Sequence, residues 1–321
     1  MADFSHRPVL LGRVVELLSA VPDGWVVDAT LGGGGHSAAL LEAHSGVRVL
    51  GIDRDDAAIA AASERLAGYG DRVVVVRRRF DEIRAAVESL GVEEVSGVLF
   101  DLGVSSPQLD RPERGFSYRE AGPLDMRMDR RQSTDADQVV NRYSAERLAE
   151  VLDHYGDERY ATRIARAVVA ARPITDTARL AEVVCDAIPA PARRKGGHPA
   201  KRTFQAIRIE VNDELGVLVD ALDQALDLLT PGGRCVALAY HSGEDRIVKD
   251  RFRRAADGGC ECPPGLPCVC GARPRHRLLK RGAEKAPAQE IAENPRAESV
   301  RLRAIEAIDL REDDRAAVKA S

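Results

Sequence analysis

Val26-Val27-Asp28-Ala29-Thr30-Leu31-Gly32-Gly33-Gly34-Gly35-His36 is the stretch that decides the fold. It joins an aliphatic run ending in an acid to a glycine-rich turn, after which a helical pattern begins. Two later aliphatic runs end in the same way, Val49-Leu50-Gly51-Ile52-Asp53 and Val98-Leu99-Phe100-Asp101. This alternation predicts a parallel sheet with helices on its faces. Because ligands bind at the carboxyl ends of such strands, the glycines and the terminal acids mark a candidate site.

The rest of the chain extends this pattern and then interrupts it. We predict strands near 25–29, 47–52, 72–77 and 96–101, and helices near 36–44, 55–67 and 81–90. Residues from about 109 to 135 read as a long loop, and the segment from 144 to about 188 is wholly helical, as an insertion would be. A helix over 204–229 then leads through a Pro-Gly-Gly turn into a strand at 234–240. An antiparallel pair ending at 300–305 closes the sheet.

Net charge and the length of the apolar runs exclude some classes of protein. The 321 residues carry a net charge of −4, which argues against a protein that coats nucleic acid indiscriminately. No apolar run approaches the roughly 20 residues of a membrane span, and residues 1–7 lack the apolar core of a signal peptide, so we expect a cytoplasmic protein without membrane association. Two basic clusters, at 193–202 and 273–281, are either local nucleic-acid contacts or solvated faces.

The glycine-rich turn is compatible with two nucleotide-type ligands. Gly33-x-Gly35-x-x-Ala38 satisfies the dinucleotide fingerprint, and Asp53 follows at about the 20-residue spacing of the acid that holds a ribose hydroxyl. A glycine-rich turn without a ligand is the alternative. Asp28 favours S-adenosylmethionine over NAD, because its carboxylate would attract the methionine ammonium and repel a pyrophosphate. The pattern also lacks a second mononucleotide-binding half, so methyl transfer is favoured over hydride transfer.

Seven ordered motifs carry a resemblance to a known family. They are His6-Arg7-Pro8-Val9-Leu10-Leu11, Asp28-Ala29-Thr30-Leu31-Gly32-Gly33-Gly34-Gly35-His36-Ser37, Asp101-Leu102-Gly103-Val104-Ser105-Ser106-Pro107-Gln108-Leu109-Asp110, Arg114-Gly115-Phe116-Ser117, Gly122-Pro123-Leu124-Asp125-Met126-Arg127-Met128-Asp129, the run from His198 to Asn212, and His241-Ser242-x-Glu244-Asp245-Arg246. Together they resemble the MraW/RsmH family of S-adenosylmethionine-dependent small-subunit (16S) ribosomal RNA (cytosine-N4)-methyltransferases. The likeness covers nearly the whole chain. One departure is Tyr240, where the family more often has Phe.

The resemblance implies an architecture. We expect an α/β, class I (Rossmann-like) methyltransferase whose mostly parallel sheet ends in an antiparallel strand, with an inserted all-helical domain. The methyltransferase domain then comprises 1–113 and 203–321, and the inserted domain, which would recognise the substrate, spans 114–202. The second part holds a cysteine-containing loop at 258–271 and a C-terminal tail that we expect to be disordered.

The resemblance also implies a ligand and a substrate. S-adenosylmethionine would contact Gly34, Gly35, His36, Asp53, Phe80, Asp101 and Gln108. The target would be a cytidine in the decoding region of small-subunit ribosomal RNA, in the cytoplasm. Because the net charge is negative, we expect the assembled small ribosomal subunit to be needed, since shape must supply what charge does not. The oligomeric state, including a homodimer, is left open.

Cytosine N4 is a poor nucleophile, because its lone pair is delocalised into the ring. An enzyme must orient the amine and accept its hydrogens as charge develops. We therefore assign Asp101 to positioning of S-adenosylmethionine or of the amine, and Ser105 and Ser106 to the amine. The alternative for the two serines is that they cap a turn before Pro107. The presence of Asp53, Asp101 and Ser105-Ser106 together argues against a non-catalytic RNA-binding factor.

Aromatic and basic residues are candidates for contact with the RNA. The chain has six Phe, six Tyr and one Trp, so Phe116, Tyr118 and Phe204 stand out near Arg-rich segments. They would stack on the base, or else belong to the core. Arg127, Arg202 and Arg208 are candidate phosphate contacts, with His198 on the same surface. His241 is either a structural residue or one that orients another group.

Four of the six cysteines fall in one short segment, Cys260-x-Cys262-Pro-Pro-Gly-Leu-Pro-Cys268-x-Cys270. Clustered thiols in a cytosolic chain indicate a zinc tetrathiolate rather than disulfides. The spacing is Cys-x-Cys instead of the familiar Cys-x-x-Cys, which weakens the case for a metal. A flexible, reduced loop near the RNA is the competing interpretation, and we assign no metal ligand at this point. Cys185 and Cys235 lie in apolar runs that predict core positions.

Overall fold

The computed structural model describes residues 8–193, 197–263 and 269–309. These residues form two compact units. One is the helical unit, Val104–Gly216; the other is the sheet unit, built from the segments that end at Gly103 and begin at Val217. The predicted C-terminal tail lies outside the described residues. The helical unit begins earlier and ends later than the predicted 114–202 domain, because the turn after the fourth strand and the helix before Gly216 belong to it.

The first part of the sheet unit alternates strands and helices. In chain order its elements are α1 (Leu11–Leu18), β1 (Gly24–Asp28), α2 (Gly35–Ala43), β2 (Val47–Asp53), α3 (Asp56–Leu66), β3 (Val73–Arg77), α4 (Ile83–Glu88) and β4 (Val95–Asp101), with 3-10 turns at Ala67–Arg72 and Phe80–Glu82. The four predicted strands are confirmed to within one residue at each end. The aliphatic runs of β2 and β4 are almost continuously buried, as expected for parallel strands covered on both faces, whereas β3 has no buried residue.

The helical unit contains short helices around its own apolar core. They are α5 (Ser106–Asp110), α6 (Ala136–Arg142), α7 (Ala145–Gly156), α8 (Ala161–Ala170), α9 (Thr177–Ala187), α10 (Ala190–Arg193) and α11 (Lys201–Asn212), with a 3-10 turn at Pro112–Arg114. The predicted helical segment from 144 to 188 is confirmed as α7, α8 and α9. Ile164, Leu152 and Val184 are fully buried at the centre of this core.

The second part of the sheet unit completes the sheet. It comprises α12 (Glu214–Asp227, which begins at the end of the helical unit), β5 (Leu229–Ala239), α13 (Ser242–Ala256), β6 (His276–Leu278), α14 (Ala288–Glu293), a 3-10 turn at Pro295–Ser299 and β7 (Arg301–Ala307). The strand order is β3-β2-β1-β4-β5-β7-β6. Strands β1 to β5 are parallel, whereas β7 runs antiparallel to both β5 and β6. This is the Rossmann-like methyltransferase architecture that the sequence predicts.

Two predicted boundaries in this region are wrong. The single helix predicted over 204–229 is two helices, because Asp213 has a φ of 50° and ends α11 in the left-handed conformation that Asp tolerates. The fifth strand begins at Leu229 rather than Arg234. An irregularity in its pairing with β4, between Val95 and Gly97, accommodates the Pro-Gly-Gly sequence inside the strand. Among the described residues, no helix combines the length and apolar character needed to cross a membrane.

The long segment 115–135 is ordered despite its polar composition. Gly115 has a φ of 73°, and a Cβ there would collide with the Pro123 carbonyl, so the tight turn requires glycine. Asn212, only 1% exposed, accepts a hydrogen bond from the Met128 amide (2.9 Å) and donates one to the Met126 carbonyl (2.7 Å). One buried side chain on α11 thus supplies backbone partners that the loop cannot supply for itself.

Replacing Asn212 with Ala should lower the free energy of unfolding by about 2–4 kcal/mol, because two buried backbone groups lose their partners. Urea unfolding followed by circular dichroism measures this change. Gln138→Ala is the control, since it removes an exposed hydrogen bond to Ser133 in the same unit and should change stability by less than about 0.5 kcal/mol. Equal effects of the two substitutions would contradict the anchoring role of Asn212.

Candidate active site

Strand register brings three acids to one edge of the sheet. In the pairing of β1 with its neighbours, Asp28 lies opposite Gly51 and Leu99. Asp53 and Asp101 end β2 and β4, and Asp101 lies opposite Leu238 of β5. Because these strands are parallel, their last residues meet at the same edge, beside the turn that leads into α2.

The glycine-rich turn is shaped by both backbone conformation and packing. Gly32 and Gly34 have φ values of 51° and 71°, which favour glycine. A Cβ on Gly34 would press on Leu66 at 3.2 Å, and one on Gly35 would collide with Pro8. Packing therefore explains these two glycines without a ligand. Gly34 is also the N-cap residue of α2, and since it has no side chain it leaves the first amides of that helix without a side-chain acceptor.

Asp53 is tied to the turn by backbone amides. Its Oδ2 accepts a hydrogen bond from Gly32 N (2.8 Å), and its Oδ1 accepts from Arg54 N (2.7 Å) and Asp55 N (2.9 Å). Burial raises the pKa of Asp53, although the amides of Asp55 and Gly32 oppose that effect. Three bonds leave acceptor capacity on a carboxylate that offers about four lone-pair positions. Asp53 can therefore both order the turn and accept one further hydrogen bond.

Asp28 is buried beneath α2 rather than presented at the edge. It is 3% exposed, and its Oδ2 accepts a hydrogen bond from the Ser37 hydroxyl at 2.6 Å. It borders a small cavity of about 10 Å³, which has room for no more than one water molecule. Burial raises the pKa of Asp28 to about 6, against the hydrogen bond from Ser37. The electrostatic argument from a freely presented Asp28 carboxylate is thus not supported by its position.

Asp101 is the acid that a substrate can reach. Its side chain is 27% exposed, and its Oδ1 accepts a hydrogen bond from the Tyr240 hydroxyl at 2.7 Å. The Asp101 amide donates to the Thr30 hydroxyl at 2.6 Å, which fixes the end of β4 against the turn after β1. Burial raises the pKa of Asp101, while His36 and the Tyr240 hydroxyl act in the opposite direction. The carboxylate is therefore held in one orientation and poised to bind a proton.

His36 stands beside this carboxylate. Its Nδ1 lies 3.6 Å from Asp101 Oδ2, and its Nε2 lies 3.1 Å from the Val9 carbonyl oxygen. Because a carbonyl only accepts, Nε2 must carry a hydrogen, which leaves Nδ1 facing the carboxylate. A lone pair on Nδ1 would be repelled there, so the contact is favourable when a proton lies on Nδ1 or on Asp101. His36 is thus fixed by the Val9 carbonyl with its Nδ1 directed at the Asp101 carboxylate.

Tyr240 is the site residue that the sequence underrated. Tyr240 retains the aromatic ring of the Phe that is more usual in the family, but it is the added hydroxyl that reaches Asp101. Burial raises the pKa of Tyr240 well above its ordinary value. The Tyr240 amide donates to Glu244 Oε2 at 2.7 Å. His241 caps α13 by accepting the Gly243 amide at 3.2 Å, which supports its structural interpretation. The departure from Phe at position 240 was the available signal.

The remaining predicted catalytic and cofactor residues are placed as follows. Ser105 is the N-cap of α5, where its side chain accepts the Gln108 amide and the Gln108 side chain accepts the Ser105 amide at 3.0 Å. This supports the capping alternative for Ser105. Gln108 is buried in that exchange. The side chain of Ser106 lies outside the described part of the structure. Phe80 follows β3 and packs edge-to-face on Phe100, with ring centroids 6.2 Å apart.

The predicted aromatic contacts divide into core and surface. Phe116 and Phe204 are 5% and 3% exposed and belong to the core of the helical unit, so neither ring is available to stack on a base. The core interpretation is the one the structure supports for both. Tyr118 instead stacks on the exposed His198, with ring centroids 4.4 Å apart at 16°. His198 Nδ1 accepts the Ala200 amide, and burial lowers the pKa of His198, so its ring is neutral near pH 7.

The three arginines that are predicted to contact phosphate differ in their partners and exposure. Arg127 is paired through two bonds with Asp125, at 2.7 and 3.2 Å, and Arg208 with Glu214, at 2.8 and 2.9 Å. The guanidinium donors of Arg127 and Arg208 are thus engaged in ion pairs that stabilise the fold. Arg202 is exposed and donates one bond to the Asp157 carbonyl at 2.7 Å. Of the three, Arg202 is the side chain best placed to meet solvent. Elsewhere, Cys235 is fully buried as predicted, whereas Cys185 is only partly buried.

A family model and several relatives match this chain over most of its length. The model of the MraW methylase family matches residues 3–308. The ribosomal RNA small subunit methyltransferase H of Heliobacterium modesticaldum is 50% identical over 311 residues, covering 95% of this chain and 99% of that protein. The protein of the same name from Frankia alni is 55% identical over 309 residues, covering 94% of each. That of Mycolicibacterium smegmatis is 52% identical over 318 residues, covering 95% and 85%.

The buried position of Asp28 has a consequence for stability. Because its pKa is raised to about 6, the folded protein binds this proton more tightly than the unfolded chain does. The associated stabilisation is fully present below about pH 4 and is lost as the pH rises through about 6. Asp28→Asn should therefore gain about 2–3 kcal/mol relative to the wild type between about pH 4 and pH 7.

Urea unfolding of both proteins across that range measures the difference. Asp23→Asn is the matched control, because the Asp23 side chain is 82% exposed and the substitution removes no carboxylate from the interior. Parallel pH dependences for the wild type and Asp28→Asn would show that the buried carboxylate is not responsible.

Proposed function

The protein belongs to the MraW methylase family, and from that premise we propose that it transfers a methyl group from S-adenosylmethionine to the exocyclic N4 of a cytidine in the decoding region of small-subunit ribosomal RNA. The relatives' names support a small-subunit ribosomal RNA substrate. The negative net charge supports action on the assembled small subunit, where shape adds to charge in recognition. We place this activity in the cytoplasm.

The observation that carries the proposal is the Asp101 carboxylate. It ends β4, is partly exposed, and is fixed by Tyr240 on one oxygen while His36 faces the other. An acceptor held in this way can orient an amino group through its hydrogens, which favours localisation of the nitrogen lone pair. An acid whose pKa is raised by its surroundings can also take up the proton that the amine must lose.

The residues of the sheet edge fit S-adenosylmethionine. Asp53 has acceptor capacity for a ribose hydroxyl. The first amides of α2, which Gly34 leaves without a side-chain acceptor, suit a carboxylate. When bound, S-adenosylmethionine supplies an electrophilic methyl group on its sulfonium. Thr30, which accepts the Asp101 amide, keeps the acid in register with the turn that would hold this ligand.

Side chains of the protein then take up the proton that N4 loses. As N4 gains a methyl group it loses a hydrogen as a proton, and Asp101 Oδ2 is the oxygen that Tyr240 does not occupy. His36 Nδ1 lies 3.6 Å from that oxygen, so the imidazole and the carboxyl group are neighbours where the proton arrives. No strong base is needed, because an amine that has been alkylated is far more acidic than its neutral parent.

For the RNA, the Tyr118–His198 stack is the surface we assign to base contact. It is flat, its imidazole is neutral and exposed, and aromatic faces are what unstacked bases pack on. Phe204 supports it from below with a ring centroid 5.7 Å from that of Tyr118, in an edge-on arrangement. The exposed Arg202, on the same helix as Phe204, suits a neighbouring phosphate.

Transfer of a radiolabelled methyl group from S-adenosylmethionine to small ribosomal subunits that lack their native modification tests the function. We expect label on a cytosine N4 within the subunit, and far less on naked ribosomal RNA or on free cytidine. Asp101→Ala should lower this rate by about 10²–10⁴-fold while S-adenosylmethionine binding remains measurable by calorimetry.

Asp220→Ala, an exposed acid on α12, is the control and should keep the wild-type rate. Wild-type turnover by Asp101→Ala would refute the role of that residue. Label on a different nucleoside would refute the proposed target, and equal labelling of naked RNA would refute the need for the assembled subunit.

Tyr240→Phe tests how the carboxylate is tuned. Loss of the hydroxyl removes a hydrogen bond that lowers the pKa of Asp101, so the acid limb of the pH–rate profile should move to higher pH. The rate near neutral pH should change little, whereas the rate at the acid end should fall by about 10-fold. Tyr69→Phe, which loses a hydroxyl bonded to Ala38 and Glu42, should leave the profile unchanged. An unshifted profile for Tyr240→Phe would contradict the coupling.

A further inference from the structure

We infer that Cys260, Cys262 and Cys270 bind a thiophilic divalent metal ion, with zinc as the expected occupant. The three residues lie in the loop between α13 and β6, in the sheet unit. None of the residues assigned to methyl transfer belongs to this loop. The family resemblance and the relatives' names assign nothing to it, so the inference stands apart from the proposed function. Cys268 lies outside the described residues and is not part of the proposed site.

The sulfur geometry is that of a metal site. The three Sγ atoms all lie within 4.8 Å of one another, and those of Cys260 and Cys270 are 3.6 Å apart. Zinc bonds thiolate sulfur at about 2.3 Å, so two sulfurs at tetrahedral positions around it lie about 3.8 Å apart. A disulfide would need about 2.05 Å. The observed separation therefore matches two ligands of one ion and is far from a covalent bond.

The backbone closes the base of this loop before any ion is added. After α13 the chain turns through Gly258 and Gly259, with φ values of 63° and 73°. Gly258 approaches the outgoing chain so closely that a Cβ there would lie 2.6 Å from the Arg273 carbonyl carbon. Incoming and outgoing segments thus meet at Gly258, and Cys260 and Cys270 follow and precede that contact along the chain.

The loop has little else to hold its thiols together. None of its described residues from 257 to 275 is buried, and Val269 is 89% exposed. A segment that buries no apolar surface receives little stabilisation from the hydrophobic effect. A backbone group also reaches the sulfurs: the Val269 amide donates to Cys262 Sγ at 3.4 Å. Hydrogen bonds of this kind are favourable to a metal-bound thiolate, whose sulfur is a stronger acceptor than that of a thiol.

Charge also suits the ion. Zinc with three thiolates carries a net charge of −1. Basic side chains lie on both sides of the cluster, with Arg254 in the last turn of α13 and Arg273 after the loop, while Arg253 is paired with Asp257 and Glu261 lies between two of the cysteines. Cys270 is exposed, so solvent can reach the site and supply a fourth ligand. A single ion would then crosslink a segment that the hydrophobic core does not reach.

Cobalt is the probe, because sulfur-to-cobalt charge-transfer bands report thiolate ligation directly. The full-length protein, stripped of metal and kept reduced under anaerobic conditions, is titrated with Co²⁺ and then with Zn²⁺. We expect binding of about one Co²⁺ per chain with charge-transfer bands, d–d bands of tetrahedral strength, and loss of both on addition of zinc. Metal analysis of the untreated protein should show zinc.

Cys270→Ser is the decisive variant, since an exposed side chain can be replaced without disturbing packing. It should weaken Co²⁺ binding by more than about 10-fold, and so should Cys260→Ser and Cys262→Ser. Cys185→Ser, a thiol in the helical unit, should retain the wild-type affinity and spectrum. A wild-type protein without charge-transfer bands, or bands that persist when all three cysteines are Ser, would overturn the inference.

Discussion

The parallel register of β1, β2, β4 and β5 is the constraint on which the candidate site depends. It sets the last residues of these strands side by side, so that acids far apart in the sequence share one edge. The turn after β1 is then tied to its neighbours on both sides, by Asp53 through the Gly32 amide and by Thr30 through the Asp101 amide. A shift in either pairing would separate the acids from the turn.

Bringing carboxylates to a buried edge has an energetic cost, and the structure offsets it differently for each. Asp53 accepts three backbone amides, so its charge is well solvated by fixed dipoles. Asp28 has chiefly one hydroxyl, from Ser37, and binds a proton far more readily than an exposed acid. Asp101 is intermediate, with a phenol on one oxygen and an imidazole facing the other. Three chemically identical groups thereby acquire distinct properties. Asp53 and Asp101 are both partly exposed, but backbone amides engage both oxygens of Asp53, so Asp101 is the acid that we propose for proton transfer.

In the helical unit, polar side chains serve mainly to order irregular backbone. Asn212 satisfies the loop at Met126 and Met128, while Arg127 and Arg208 are held in two-bond ion pairs. Arginines that look like phosphate ligands in the sequence are thus committed to the fold. Of the predicted RNA contacts, those that this unit presents to solvent are the His198 ring, stacked on Tyr118, and the Arg202 guanidinium.

The sequence by itself determined the order and type of the sheet elements, because aliphatic runs ending in Asp and separated by helical periods allow little else. It also indicated the family, through motifs such as 28–37 and 101–110, and the family match over residues 3–308 confirms this. Only the tertiary structure decided which side chains are buried and what they touch. The burial of Phe116 and Phe204 and the Tyr240 hydroxyl on Asp101 depend on contacts between residues distant in the chain. Local pattern fixes which face of an element is apolar, but partners across a fold are set by packing, which no single segment encodes.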